Sequence, residues 1–378
     1  MELNFRKLWT VLGVACLSAN LAAAPASSSN TSTQKTGKDD HSMMASGLMY
    51  SGPMLSEDAT GISLGADYIL WQVVQEGLET VSNNYYPTGT TTPTMGSTVF
   101  PSSSLLSGFK VHGAVTIAEC DNIDLFVQYI WLQRSTKTNT GTGGSTTLPA
   151  FIVNVNDLSD IDQEPVVTYS SGFRIAYNVL DFEMGRWSSI AKDSFAIRPF
   201  FGIRGTWNTS TWTPTYTGSL DFTTPTLNTV NNVNSYQNTS GAGVRAGMDL
   251  AWKFFNNSDY FGGLKVLGMS ALSGVYGRTY VNTACYTTPS SQGSTAGTFY
   301  WNQSSLNRLV PVIDLSIGLG WDMSFGGEAD DDYNVEIHAL WETQSWINYG
   351  KHLTAYLIPR GAQNLGIQGL TVGASVEF

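Results

Sequence analysis

The sequence predicts an all-β protein, an antiparallel up-and-down transmembrane β-barrel of about ten and at most about twelve strands. Three observations support this prediction. The N-terminus has an export signal, and no later run of apolar residues is long enough for a membrane helix. Apolar and polar residues alternate with a period of two along most of the chain. Short and long gaps alternate between the resulting strands, as the short periplasmic turns and long extracellular loops of outer-membrane barrels do.

The N-terminus has the three parts of a secretory signal peptide. A basic pair at residues 6–7 precedes an apolar run at residues 8–17, and small residues at 24–26 supply a cleavage site. A lipoprotein anchor at Cys16 is the alternative, but residues 13–15 fit that signal poorly. We therefore assign residues 1–26 to the signal and expect export.

Composition divides the remainder into two parts. Residues 27–60 are mostly Ser, Thr, Lys, Asp, Gly and Met and predict a flexible leader, and residues 61–378 are assigned to the barrel. Only 13% of the residues are charged, and the net charge of -11 argues against a nucleic-acid partner. The 11 Trp and 17 Tyr argue against disorder.

Residues 309–325 show the alternation most clearly. Successive side chains of a strand point to opposite faces, so one face of this segment is apolar and the other is small or acidic. A helix would spread the same residues around its circumference. The apolar face consists of Leu309, Pro311, Ile313, Leu315, Ile317, Leu319, Trp321, Met323 and Phe325.

The same pattern predicts about ten strands, an even number. They lie near 62–74, 107–118, 123–135, 172–186, 195–208, 239–254, 261–276, 308–325, 333–346 and 365–378. The short gaps lie near 119–122, 187–194, 255–260 and 326–332, and the long gaps near 75–106, 136–171, 209–238, 277–307 and 347–364. Val179 and Leu180 are consecutive apolar residues, so the apolar residues switch to the other face of the strand at this point. This change predicts a bulge or a different register.

Several strand and turn segments resemble the Legionella-type pore-forming outer-membrane proteins, a family also found in Chlamydia-related bacteria. The resemblance covers most of residues 61–378 and implies a porin-like barrel in the outer membrane of a Gram-negative-type bacterium. Its segments are GISLGADYILWQVVQEGL (61–78), NVLDFEMGRWSSIAKDSFAIRPFFGIRGTW (178–207), GAGVRAGMDLAWKF (241–254) and VPVIDLSIGLGWDM (310–323).

Charged residues on the polar faces are expected to line the lumen, where charges set the selectivity of a porin. We expect the basic and acidic groups to occupy opposite walls and to create a transverse field. The predicted lining residues are Arg174, Arg198, Arg204 and Arg245 on the basic side, and Asp67, Asp314, Asp322, Glu336 and Glu342 on the acidic side. The alternative is structural ion pairing, for example between Arg198 and Asp181 or Glu183, because narrow barrels fill their lumen with side chains.

The two cysteines after the signal fall at opposite ends of the predicted barrel. Cys120 lies in a short turn and Cys285 in a long loop, too far apart for a disulfide to join them. Each is therefore free or bonded to another chain. The family resemblance favours intermolecular disulfides, and hence a homo-oligomer, although two cysteines cannot form an extensive network.

The last residues, GLTVGASVEF (369–378), form an alternating strand that we expect to close the cylinder against the strand at 62–74. The terminal Phe378 resembles the signal read by the barrel assembly machinery. This machinery and the lipid of the outer membrane are the partners that the pattern implies.

Three matches to enzyme motifs do not have the context that catalysis needs. Ser63 in GISLG sits inside an alternating strand without the helix of a nucleophile elbow. The glycine run at 241–247 lacks a βαβ unit. His338 is a lone histidine on a predicted lumen face. We expect no enzyme activity, no cofactor and no metal.

Two functions fit these observations. The first is a channel for passive diffusion of small polar solutes or ions. The second is a closed barrel that acts as an adhesin or ligand-binding surface protein through its long loops.

Overall fold

A computed structural model describes most of the chain after the predicted leader. The described residues are 61–83, 97–117, 123–136, 138–143, 148–149, 166–191, 194–219, 228–256, 263–289, 299–325, 333–352 and 363–378. The predicted signal peptide, the leader and Cys120 lie outside them.

The described residues form strands and turns only. Within them, no helix is long and apolar enough to cross a membrane. The strands are β1 (Ile62–Gln75), β2 (Val81–Asn83), β3 (Ser97–Val99), β4 (Leu105–Ile117), β5 (Ile123–Ser135), β6 (Asn139–Thr142), β7 (Leu148–Pro149), β8 (Val166–Arg186), β9 (Ser188–Ala191), β10 (Phe195–Ser219), β11 (Asn228–Asn256), β12 (Gly263–Pro289), β13 (Phe299–Phe325), β14 (Tyr333–Gly350) and β15 (Gln363–Glu377).

Ten of these strands close into an antiparallel ring, as the alternation predicts. The order around the ring is β1-β4-β5-β8-β10-β11-β12-β13-β14-β15, and β15 returns to β1. The closing register runs from Ser63 opposite Glu377 to Gln75 opposite Leu365. Among the remaining strands, β6 pairs with β8, β9 pairs with β10, and β2, β3 and β7 form a separate small sheet.

The outward face of the ring is apolar where a membrane would surround it. Ile317 and Leu319 of β13 are 64% and 51% exposed, whereas Asp314 on the opposite face is 1% exposed. Aromatic rings stand at the end with the long connections, where Tyr129 and Trp207 stack with centroids 5.9 Å apart. An apolar band with aromatic margins matches the hydrocarbon layer and its interfaces.

Four neighbouring strands extend far beyond this band. β10, β11, β12 and β13 contain 25, 29, 27 and 27 residues, whereas β4 and β5 contain 13 each. Crossing a membrane takes only about 9–11 residues of tilted strand. We call the extension the outer wall; together with the start of β8 it comprises residues 166–174, 208–219, 228–240, 277–289 and 299–305.

The outer wall corrects part of the predicted loops. The segments near 209–238 and 277–307 were expected to be loops, but most of their residues continue the strands. Cys285 accordingly lies in β12, opposite Val233 and Tyr300, and not in a loop. Outside the lipid both faces of a strand can be polar, so pairing continues where the alternation has ended.

Of the two explanations predicted for Val179 and Leu180, a bulge or a different register, the bulge is wrong. β8 pairs with β5 and β10 without a register shift at these residues. Val179 is 0% exposed on the inner face and Leu180 is 42% exposed on the outer face. The apolar parity changes because the interior of the barrel itself becomes apolar at this level, where Ile175 and Tyr177 also point inward and are buried.

Candidate functional site

The barrel interior is the candidate functional site, and it has two layers. The layer nearer the short turns contains a smaller apolar cluster and many charged and histidine side chains, which are between 0% and 6% exposed. We call it the ion layer. It contains Asp67, Lys110, His112, Asp124, Asp181, Glu183, Arg198, Arg204, Arg245, Asp249, Lys265, Asp314, Glu336, His338 and Glu342.

Arg198 is surrounded by three carboxylates from three strands. Its Nε donates to Asp124 at 2.9 Å and its Nη1 donates to Asp249 at 2.8 Å. Glu183 lies 3.4 Å from the same Nη1. Phe126 and Phe200 lie under the guanidinium, 5.8 Å and 5.3 Å from it. One buried cation therefore ties β5, β8 and β11 to β10.

Arg204 and Arg245 share Asp314, which comes from β13. Arg204 donates to Asp181 at 2.7 Å and lies 2.8 Å from Asp314. Arg245 donates to Glu183 at 2.8 Å and also contacts Asp314. Because β13 is three strands along the ring from β10, these pairs cross the lumen rather than follow its wall.

The remaining pairs of the ion layer join β14 to β4, β12 and β1. Lys110 contacts Glu342 at 2.5 Å, and Lys265 contacts Glu336 at the same distance. His338 Nε2 lies 3.1 Å from Asp67 on β1. Charged groups of this kind are stable in a barrel only when they are paired, because burial of an isolated charge is costly.

The second layer, nearer the long connections, is apolar. Trp346 packs edge to face against Tyr177 and Tyr349, with centroids 5.8 Å apart in both pairs. Lys110 lies 5.1 Å from the centre of the Trp71 ring, which joins the two layers. The members of this apolar layer are 0% to 3% exposed: Ile69, Trp71, Val73, Leu78, Val81, Leu106, Ile130, Leu132, Phe173, Ile175, Tyr177, Val179, Trp212, Tyr216, Val233, Val275, Val310, Val312, Trp346, Tyr349, Leu365 and Ile367.

A short piece of chain crosses the mouth of the barrel above this layer. Asn348 has a φ of 57°, a left-handed conformation that Asn tolerates, and the pairing of β14 with β15 shifts register beside it. His352 reaches the opposite wall, where its Nδ1 lies 2.8 Å from Ser235 Oγ and its Nε2 3.3 Å from Ser210 Oγ. Arg308 donates to the carbonyls of Asn348 and Tyr349. We call residues 348–352 the mouth segment.

Most of the predicted lining residues face the interior. Arg198, Arg204, Arg245, Asp67, Asp314, Glu336 and Glu342 belong to the ion layer. Asp322 lies at its margin, 3.5 Å from Lys253, with 12% of its side chain exposed.

Two parts of the lining prediction are wrong. Arg174 is exposed on the outer face, between the inward Phe173 and Ile175. Basic and acidic groups do not form opposed walls, because the arginines interleave with carboxylates such as Asp181 and Glu183.

Sequence reasoning also left several members of the ion layer out of the predicted lining. Asp124 and Asp249 were visible on the polar faces of their strands, but their role as partners of Arg198 depends on the spatial order of the strands. Lys110 and Lys265 sit among apolar neighbours in the sequence, and only the closed ring brings them to Glu342 and Glu336.

The remaining predicted sites lie elsewhere. Phe378 is 62% exposed on the outer face, and its backbone exchanges hydrogen bonds with Ile62 at 3.0 Å and 3.3 Å. Within the described ranges no group of three or more His, Cys, Asp or Glu is arranged to hold a metal ion. The pairing state of Cys285 stays a prediction.

A closed antiparallel ring with an apolar belt, aromatic margins and a charged interior defines an outer-membrane β-barrel protein. The model of one family, described as the Legionella pneumophila major outer membrane protein precursor, matches residues 55–378. The chain belongs to this family, and its place is the bacterial outer membrane.

Three solved structures resemble the chain at low sequence identity. The outer membrane protease OmpT from Escherichia coli is 10% identical, with 87% of this chain and 99% of that chain covered and a TM-score of 0.33. A Pseudomonas aeruginosa FadL homologue is 9% identical, with 85% and 90% covered and a TM-score of 0.26. The P. putida toluene transporter TodX is also 9% identical, with the same coverage and a TM-score of 0.19. No curated protein matches the chain.

Proposed function

We propose that the protein is a closed outer-membrane barrel whose role is exercised at the cell surface, by the outer wall and the connections it carries. The observation that carries this proposal is the burial of the interior through both layers. Arg198 and Arg204 are 1% exposed and Trp346 is 0% exposed, so water does not reach these side chains in either layer. In narrow barrels the side chains themselves can fill the interior.

Reconstitution in planar bilayers tests this proposal. Folded protein, identified by its heat-modifiable migration on gels, should produce no discrete conductance steps. Liposomes that contain it should swell in isotonic sugar no faster than empty liposomes. Discrete channels from folded protein would overturn the proposal.

The ion layer favours a second candidate, a gated channel for small polar solutes or ions. Half of the lumen is lined by charges, although apolar side chains would fill it at lower cost. Across the described interior, nine buried carboxylates, including Glu377, face five buried Lys or Arg side chains, so an opened lumen would favour cations. Opening would require displacement of the apolar layer and of the mouth segment.

Reversal potentials test the gated channel once a conducting state is obtained. Replacing Arg198 and Arg204 with Ala should shift selectivity further toward cations. Unchanged reversal potentials in the variants would argue against a lining role for these residues.

We infer that the protein is not an enzyme. His338 is 2% exposed and is paired with Asp67, away from any surface that a substrate could reach. Hydrolysis of detergent or peptide substrates by purified protein, abolished by His338→Ala, would contradict this inference.

A further inference from the structure

A shallow, open cleft lies where β6 meets the lateral face of the outer wall, and the closed barrel does not explain it. Its volume is about 500 Å³, within the range of small-molecule sites. It lies where β6, β8 and β10 run side by side, and we call it the outer cleft. Its lining residues are Thr140, Gly141, Thr142, Thr168, Tyr169, Ser170, Thr215 and Thr217.

The hydroxyl side chains of the outer cleft form two rows across three strands. One row consists of Thr140, Ser170 and Thr215, which are direct partners in the β6-β8 and β8-β10 registers. The second row, two residues further along each strand, consists of Thr142, Thr168 and Thr217. Cross-strand neighbours are about 5 Å apart, and the rows are about 7 Å apart. The six hydroxyl groups therefore form a grid about the size of one or two sugar rings.

The grid points outward: Thr140, Thr142 and Thr168 are exposed, and Ser170, Thr215 and Thr217 are partly exposed. In β8 the inward residues at this level include the buried Ser171 and Phe173, so Thr168 and Ser170 face out. Thr215 donates to Asn232 at 3.1 Å. The other five hydroxyls form no side-chain hydrogen bond to any residue that the structure describes.

Packing on the inner face of these strands holds the hydroxyl grid in place. Tyr169 packs against the apolar layer, and its hydroxyl lies where a Cβ of residue 141 would be. Only glycine at 141 lets the Tyr169 ring lie so close under β6. The hydroxyls are thus presented by paired strands and not by a loose connection, which favours a preorganised site.

The cleft lies well outside the lipid. On β10 the last outward aromatic residue is Trp207, and Thr215 is eight residues further along, or about 26 Å of strand. Lipid headgroups extend only about 5–8 Å beyond each side of the hydrocarbon layer, so the cleft lies beyond them. The lining contains no charged side chain, and hydroxyls both donate and accept hydrogen bonds as sugar hydroxyls do.

We propose that the outer cleft binds a neutral saccharide, held by hydrogen bonds to the two rows of Thr and Ser hydroxyls. This inference rests on the proposed surface role of the outer wall. The saccharide can belong to a soluble or host glycan, or to a glycolipid of the same membrane, since the same hydroxyl chemistry recognises both.

Binding of neutral oligosaccharides to the full-length protein in phospholipid nanodiscs tests the proposal. We expect at least one member of an immobilised panel of neutral di- to tetrasaccharides to bind. The variant Thr142→Val, Thr168→Val, Thr217→Val should bind it at least tenfold more weakly, because Val keeps the shape and strand preference of Thr but loses the hydroxyl. The matched control Thr209→Val, Thr211→Val, on β10 between Trp207 and the cleft, should bind like the wild type.

Two outcomes overturn the proposal: no binding to any neutral member of the panel, or equal binding by the wild type and the cleft variant. The bilayer experiment decides separately whether the barrel is closed, so failure of one proposal does not imply failure of the other. Repeating the assay in vesicles that contain lipopolysaccharide identifies the source of the saccharide. If oligosaccharide binding persists in these vesicles, the natural ligand is a soluble or host glycan. If binding is lost in these vesicles but not in the nanodiscs, the natural ligand is a glycolipid of the membrane.

Discussion

Arg204 and Asp181 are direct cross-strand partners on β10 and β8, and two hydrogen bonds of 2.7 Å join the guanidinium to the carboxylate. Both residues are at most 1% exposed. A two-pronged pair of this kind fixes orientation as well as distance. Since Arg204 also contacts Asp314 on β13, the pair helps to specify which strands meet across the lumen.

Removing this arginine should destabilise the barrel strongly. Arg204→Ala leaves Asp181 buried without its bidentate partner, which costs about 3–5 kcal/mol. The double variant Arg204→Met, Asp181→Leu should recover more than half of the loss, because it removes both charges and fills the space. Thermal or urea unfolding in detergent, followed by tryptophan fluorescence, measures both effects.

The exposed Arg174 provides the control for this prediction. Arg174→Ala should change the free energy of unfolding by no more than about 0.5 kcal/mol, as surface substitutions usually do. If Arg204→Ala is no more destabilising than Arg174→Ala, the ion layer does not hold the ring together.

Much of the ring could be predicted from the sequence because lipid imposes the alternation. β5 spans Ile123–Ser135, the predicted range, and the pairing of the last strand with the first follows from closure. β10 was predicted to end at residue 208 but continues to Ser219. Past Trp207 the outward residues are threonines, so the contrast between faces is lost while the backbone pairing remains.

The layering of the interior could not be read from the sequence. An apolar residue in a barrel strand can face lipid or another apolar side chain, and alternation alone does not distinguish the two. Alternation alone therefore predicted that Arg174 lines the lumen, although Ile175 and Tyr177 are the residues that point inward. Only the register with β5 and β10 shows that these apolar side chains pack across the lumen.

Trp346 should be one of the side chains that keep the lumen closed. Its ring is 0% exposed between Tyr177 and Tyr349, so Trp346→Ala leaves a large void in the apolar layer. We expect liposomes that contain this variant, combined with Trp71→Ala, to swell measurably faster in isotonic sugar than liposomes with the wild type. The proteoliposome swelling rate is the measurement.

Trp341→Ala is the control, since Trp341 lies in the same strand but is 52% exposed on the lipid face. It should leave the swelling rate at the wild-type level. A double Trp71, Trp346 variant that folds and is as impermeable as the wild type would show that the apolar layer is not the barrier.

Two glycines of β15 should respond oppositely to the same substitution. A Cβ on Gly373 would overlap Asp67 Oδ1 and lie 2.8 Å from His338 Nε2, so Gly373→Ala must disturb a buried pair. We expect a loss of about 1–3 kcal/mol in the free energy of unfolding. A Cβ on Gly366 meets nothing closer than the Val74 carbonyl at 3.7 Å, so Gly366→Ala should stabilise the strand by about 0.5–1 kcal/mol. Equal effects in chemical denaturation would contradict this description of the inner face.

His352, which follows β14 outside the membrane-spanning segments, should make the mouth segment sensitive to acid. Burial lowers the pKa of His352 to about 4, from an ordinary value of 6.5, and its neighbours Ser210, Ser235 and Trp212 offer no compensating charge. The folded form therefore keeps a neutral imidazole while the unfolded form takes up a proton.

The contribution of His352 to stability is complete above pH 6.5 and is lost as the pH falls toward 4. The loss amounts to about 3 kcal/mol, since one pKa unit corresponds to about 1.4 kcal/mol. His352→Gln keeps a hydrogen-bonding side chain but does not titrate. The stability of the wild type relative to this variant, measured as unfolding temperature in detergent, should therefore fall between pH 7.5 and pH 4.5. An unchanged difference across that range would show that His352 is already protonated, or is not buried, in the folded barrel.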